Sequence, residues 1–168
     1  MGMTASFVAV SPDQLETFKA DATALPDFFF ERLSQSTAEK TSDAVDIDKS
    51  WAAIHFMLTG TPWGGEPPES QPILGGAEIG EDMGYGPLRY LTPAEVQSAH
   101  RVLAQLPVTE LKKRFIPAKL EEAEVYPTGI WLDEGEEGFD YIEHWYVQLC
   151  AFYANAAQAG RAVLLAVV

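Results

Sequence analysis

Apolar runs at the two ends of the chain read as strands, while helical spacing dominates between them. From Met3 to Val10 small and apolar residues alternate, and Ser11-Pro12 follows as an N-cap with proline at the first helical position. Leu15 and Phe18, three apart, give the next helix a buried stripe. A second helix is predicted over 26–33, where Phe28, Phe29 and Phe30 cannot all share one face. Residues 34–44 are polar and read as a connection. A third helix carries Asp48, Trp51, His55 and Thr59 on one side and stops at Gly60. Proline and glycine then crowd residues 61–72, which read as a long irregular loop.

Short strands are predicted at 73–74 and 77–79 around Gly75-Gly76, followed by a loop over 80–86 and a strand over 87–91. Thr92-Pro93-Ala94-Glu95 is the clearest helix start: a threonine cap, proline at N1 and glutamate at N3. Val96, Ala99, Leu103 and Leu106 share that helix's apolar face, and Pro107 ends it. Two short helices are expected over 109–115 and 117–123, then an extended segment at 125–127. After an acidic turn over 133–138, Phe139, Ile142, Leu149, Phe152 and Ala156 recur at helical spacing toward Gly160, which suits a C′ position. The last segment, 161–168, is continuously apolar and β-branched, the pattern of a strand buried on both faces.

Buried strands need hydrogen-bond partners for every N–H and C=O. The first and last are the longest, so they are expected near the middle of one mixed sheet with several helices packed on it. The irregular order of elements argues against regular βαβ winding. At 168 residues the expectation is one α+β domain spanning 1–168.

Charge narrows the partners. A formal charge of −14, from 11 basic and 25 acidic residues, repels phosphate and so disfavours nucleic acid and anionic membrane surfaces. It steers a basic protein partner or a cationic ligand toward the surface. Cys150 is the lone cysteine, which excludes an internal disulfide, and its apolar helical setting suits a small core residue better than a thiolate. The first residues lack a basic n-region and no run is long enough to span a bilayer, so the expectation is cytoplasmic.

Two groups of residues carry candidate chemistry. The first is a ligand pocket built from Asp48, Trp51, His55, Trp63, Tyr85 and Arg89. There Asp48, below His55, could fix the imidazole tautomer and raise its basicity, and Arg89 could anchor a carboxylate or pair with a local acid. The bland alternative is that Asp48 caps the helix start and His55 satisfies a buried carbonyl. The second group is a docking face of Trp131, Glu136, Glu137, Asp140 and Tyr141, where carboxylates set the on-rate and rings act as anchors. Here the alternative is a solvated acidic helix face.

Other chemistry finds little support. The glycines at 75, 76, 80, 84 and 86 match neither the phosphate-loop pattern nor the dinucleotide fingerprint, so no cofactor is expected. His55, His100 and His144 are too far apart for a two-histidine helical motif, and Asp140 with His144 reads as a surface pair, so no metal is expected either. Without a nucleophile at recognisable spacing, no catalytic residue is assigned.

Met1-Gly2-Met3, the run from Asp46 through Trp51 to Gly60, Ile73-Leu74-Gly75-Gly76, Gly84-Tyr85-Gly86 and Glu124-Val125-Tyr126-Pro127 together carry a resemblance. The chain resembles the YfbM-like family of bacterial proteins, a domain family of unknown function, over essentially its whole length. The resemblance implies an α+β domain without an established activity, and it carries no catalytic residues to transfer. The expected function is that of a non-enzymatic interaction or binding domain with an acidic, aromatic-containing surface for a basic partner. The alternative is a small-polar-ligand protein or enzyme with its pocket around Asp48, His55 and the Gly84-Tyr85-Gly86 loop.

Overall fold

The structure, a computed structural model, describes residues 2–39 and 42–168. At its centre β1 (Ala5–Val10) and β5 (Ala162–Val167) pair antiparallel along six rungs, from Ala5 opposite Val167 to Val10 opposite Ala162. Five strands lie in the order β2-β1-β5-β4-β3, with β2 at Ala44–Asp46, β3 at Ala77–Asp82 and β4 at Pro87–Leu91. The α+β architecture holds and the two terminal strands sit side by side at the middle. Every pairing is antiparallel, where a mixed sheet was expected.

Side chains of β1 and β5 alternate between two cores. Phe7, Ala9, Val163 and Leu165 face one side, and Val8, Val10, Ala162, Leu164 and Ala166 face the other. Helices α1 (Pro12–Ala20) and α2 (Leu25–Glu39) cover the second side through Leu15, Leu25 and Phe29. The first side carries α3 (Trp51–Thr59), α4 (Gln71–Leu74), α5 (Pro93–Ala104), α6 (Val108–Arg114), α7 (Pro117–Glu122), α8 (Trp131–Glu134) and α9 (Glu137–Gln158). Phe7 is fully buried there against Phe152 and Tyr153, with ring centroids 6.1 Å from each. Among the described residues no helix is long and apolar enough to cross a membrane.

Local signals explain most boundaries. Ser11 and Thr92 each form a complete capping box, with Gln14 and Glu95 respectively. Helix α2 runs on to Glu39, so part of the expected connection over 34–44 is helical; residues 40 and 41 lie outside the described residues. Ala44–Asp46 forms an edge strand that the polar pattern did not announce, held because Phe7 and Val8 of β1 need partners on their outer side. Residues 73–74 close a helical turn instead of a strand, since Ser70 accepts from Leu74 N at 3.1 Å.

The β3–β4 hairpin is irregular. Ile79 pairs with Leu88 and Asp82 with Pro87, which leaves Gly80 and Glu81 as an insertion on the edge strand. Gly80 has φ +80 at that point. Gly76, one residue before β3, has φ +85, and a Cβ there would collide with the Tyr90 carbonyl of β4. Gly76→Ala should therefore destabilise the fold by about 1–3 kcal/mol, read as a lower urea midpoint at unchanged slope. An unaltered midpoint would mean that the hairpin root accommodates the methyl group.

Candidate functional site

Helix α3 is apolar on nearly all sides, and it buries Trp51, Ile54 and His55 completely. Gly60 ends it in the left-handed conformation, φ +78, with its N–H donating to Phe56 O. Thr59 Oγ1 donates to His55 O at 2.8 Å, and Thr61 N donates to Thr59 Oγ1 at 3.2 Å, which folds the next loop back over the helix. His55 Nε2 lies 2.8 Å from Gly64 O. A carbonyl can only accept, so Nε2 carries the proton and the ring is neutral in that tautomer. Among the described residues Nδ1 is buried without a partner. Burial lowers the His55 pKa, and the Gly64 bond offsets this in part.

The pinned loop presents Trp63. Its ring packs 5.2 Å from Trp51, which in turn stacks on Tyr126 at 6.0 Å, leaving Trp63 55% exposed. Facing this loop is the tip of the β3–β4 hairpin. Asp82 Oδ1 accepts from Gly84 N at 2.6 Å and Gly86 N at 3.3 Å, so the turn holds Tyr85 outward at 62% exposure. A groove of about 410 Å³ lies between loop and hairpin, with Leu165 and Val167 of β5 among its lining residues. Arg89, paired across the sheet with both Glu78 and Leu165, also lines it. The guanidinium donates from Nη1 to Leu74 O at 2.7 Å, while Nη2 stands 3.8 Å from Glu78 Oε1.

Of the six residues proposed for a ligand pocket, Trp63, Tyr85 and Arg89 thus line one groove. Trp51 and His55 act from behind it, as supports for the Trp63 loop. Asp48 lies elsewhere, and its expected hydrogen bond to His55 is not formed. Residues Asp48–Ser50 form a 3-10 turn with Asp48 at φ +51, so the three- and four-residue stepping of α3 does not extend back to it. Its carboxylate instead accepts from Tyr141 OH at 2.7 Å, and Lys49 N donates to the same hydroxyl at 3.2 Å. Burial, and then the adjacent carboxylate, keep the Tyr141 phenol protonated well above its ordinary range.

That bond joins Asp48 to the second candidate surface. A groove of about 380 Å³ is lined by Lys49, Pro127, Ile130, Trp131, Glu134, Gly138 and Tyr141. Trp131 is only 2% exposed and donates from Nε1 to Val125 O at 2.7 Å, so it is a buried wall and not the exposed anchor expected. Residues 125–127 bend instead of running extended as expected, and the Val125 carbonyl takes the indole N–H, which holds the ring inward. The neighbouring Leu132, 61% exposed, takes the outer position. Glu136, Glu137 and Asp140 are exposed at the start of α9 beside the groove-lining Gly138.

Glu78, Leu74, Lys49, Pro127 and Ile130 line grooves without having been singled out in the sequence. None had a usable local signal; Glu78 reaches its place opposite Arg89 only through the register shift in the hairpin. Among the described residues, no three His, Cys, Asp or Glu side chains are placed to hold a metal ion. His144 Nε2 lies 2.9 Å from Gln148 Nε2, and burial pushes the Cys150 thiol up to about 11.

Sheet, cladding helices and two aromatic-lined grooves define an α+β domain with lined surface concavities. The chain belongs to the family described as a domain of unknown function (DUF1877), whose profile matches residues 1–166. It is 36% identical over 97 residues to Protein YfbM of Escherichia coli strain K12. That match spans 56% of this chain and 57% of the relative's length. The crystal structure of YfbM, a protein of unknown function from Escherichia coli, superposes with a TM-score of 0.74 at 24% identity, covering 99% of this chain and 100% of that one. This likeness speaks for the fold alone.

The buried imidazole yields a pH prediction. Its folded pKa lies below the unfolded value of about 6.5, so the unfolded chain binds the extra proton first. The stabilising contribution is complete above that value and is lost as pH falls below it, by at most about 1.4 kcal/mol per pH unit. His55→Gln should flatten the stability profile below roughly pH 6.5, measured by urea unfolding. Parallel profiles for the two proteins would assign the titration to other groups.

Proposed function

We propose that this protein is a cytoplasmic, non-enzymatic interaction domain that receives a basic segment of a protein partner in the groove between residues 127–131 and the start of α9. The observation carrying this reading is an apolar groove formed in part by Ile130 and Trp131, with Glu134 on it and Glu136, Glu137 and Asp140 beside it. Burial of an aliphatic or aromatic anchor supplies affinity, while the carboxylates steer and orient a cationic segment. Lys49 is basic and lines the same groove. Its flexible stem lets the ammonium move out to solvent when a cation approaches.

The test uses a fluorescent peptide of lysines interspersed with leucines, titrated by anisotropy. Reversing Glu136, Glu137 and Asp140 to lysine should weaken binding about tenfold or more. The same number of reversals at Glu16, Asp27 and Glu31, on the α1–α2 layer, should leave it within about twofold. Equal weakening by both sets would assign the attraction to net charge and overturn the groove as its seat, as would absence of binding to the unaltered protein.

A further inference from the structure

We propose that the groove between the Trp63 loop and the β3–β4 hairpin is a binding site for a free α-amino acid with a large apolar or aromatic side chain. The site is separate from the acidic groove at α9 and does not depend on that reading. Its size, about 410 Å³, is at the small end of ligand pockets and suits an occupant of this class.

Charge selects the head group. Arg89 and Glu78 lie side by side on β4 and β3, yet Nη2 and Oε1 are 3.8 Å apart, beyond hydrogen-bond contact. The Glu78 side chain is 63% exposed and free to shift, whereas Arg89 is held at one end by its bond to Leu74 O. A guanidinium has five N–H donors in a planar fork, and one carbonyl occupies one of them. A lone carboxylic acid would meet the Glu78 carboxylate and the field of a −14 protein. A lone cation would meet the guanidinium. A zwitterion satisfies both groups, with its carboxylate on the Arg89 fork and its ammonium on Glu78.

The rest of the groove selects the side chain. Leu165 and Val167 give it an apolar lining, and Trp63 and Tyr85 stand on its two sides. The Trp63 ring is held before any ligand arrives by its contact with Trp51 and by the His55–Gly64 bond beneath its loop, while Asp82 fixes the backbone of the turn that carries Tyr85. The ordering cost on the protein side therefore falls mainly on the Tyr85 side chain. Two exposed rings are otherwise an expensive arrangement in water, and an apolar occupant removes them from it.

Isothermal titration of the full chain with L-phenylalanine, L-tryptophan and L-leucine tests the site. At least one should bind saturably. For that ligand's parent scaffold, the amide, which lacks the carboxylate, and the N-acetyl derivative, which lacks the ammonium, should each bind about tenfold more weakly or worse. Glycine should not bind. Trp63→Ala with Tyr85→Ser should abolish binding while the melting temperature falls by no more than a few degrees, because both side chains are mostly exposed and only the Trp63 contact with Trp51 is lost. Arg89→Met should do likewise, and if that variant fails to fold, the ring pair and the ligand analogues still decide. No saturable binding by any of the three amino acids, an amide that binds as well as its parent, or binding indifferent to loss of both rings would overturn the proposal.

Discussion

The pairing of β1 with β5 governs the molecule. Six rungs of strand with apolar side chains on both faces cannot be left exposed on either side, so the chain must supply two helical layers. The layers are unequal. Among the described residues two helices suffice behind the sheet, while seven α-helices, several of them one or two turns long, are fitted together in front. Short helices gain little from intrinsic propensity and depend on packing, which is why α4 is tied to α9, and α6 to α3, by long-range side-chain bonds. Tyr153 OH, for example, donates to Pro72 O at 2.8 Å within the core.

The front layer lies over β1 and β5 but leaves the Arg89 end of the sheet to a loop. There the Trp63 segment, pinned by a neutral histidine, substitutes for a helix. The concavity is thus a by-product of sheet coverage running out, with its walls set by one helix C-cap and one hairpin turn. Its polar pair is set by strand register. Geometry of this kind joins residues far apart in sequence without any local motif.

This also explains what could be read from residues alone. Capping boxes, the Gly60 stop and the apolar termini are short-range signals, and they placed α1, α5, the end of α3 and the two central strands correctly. Tyr85 and Arg89 were recognisable because the glycines around them mark a turn. Glu78 was harder: a regular hairpin closed at residues 83–86 would set Gly80 opposite Arg89, and only the two inserted residues bring Glu78 there. Asp48 was misplaced because one 3-10 turn breaks the helical phase that the aligned spacing assumed. Trp131 was taken for surface because its acidic neighbours are exposed. The demand of the Val125 carbonyl for a donor is a tertiary fact, invisible in the local pattern.

The insertion at Gly80 and Glu81 has a further effect on the outermost strand. β3 ends the sheet, and its outer N–H and C=O groups form a template onto which another extended chain could zip. Offsetting the register by two residues twists that template, and Glu78, Glu81 and Asp82 would meet like charges in a second copy. The same irregularity that sets an acid beside Arg89 therefore also penalises open-ended, fibre-type stacking of one molecule on the next.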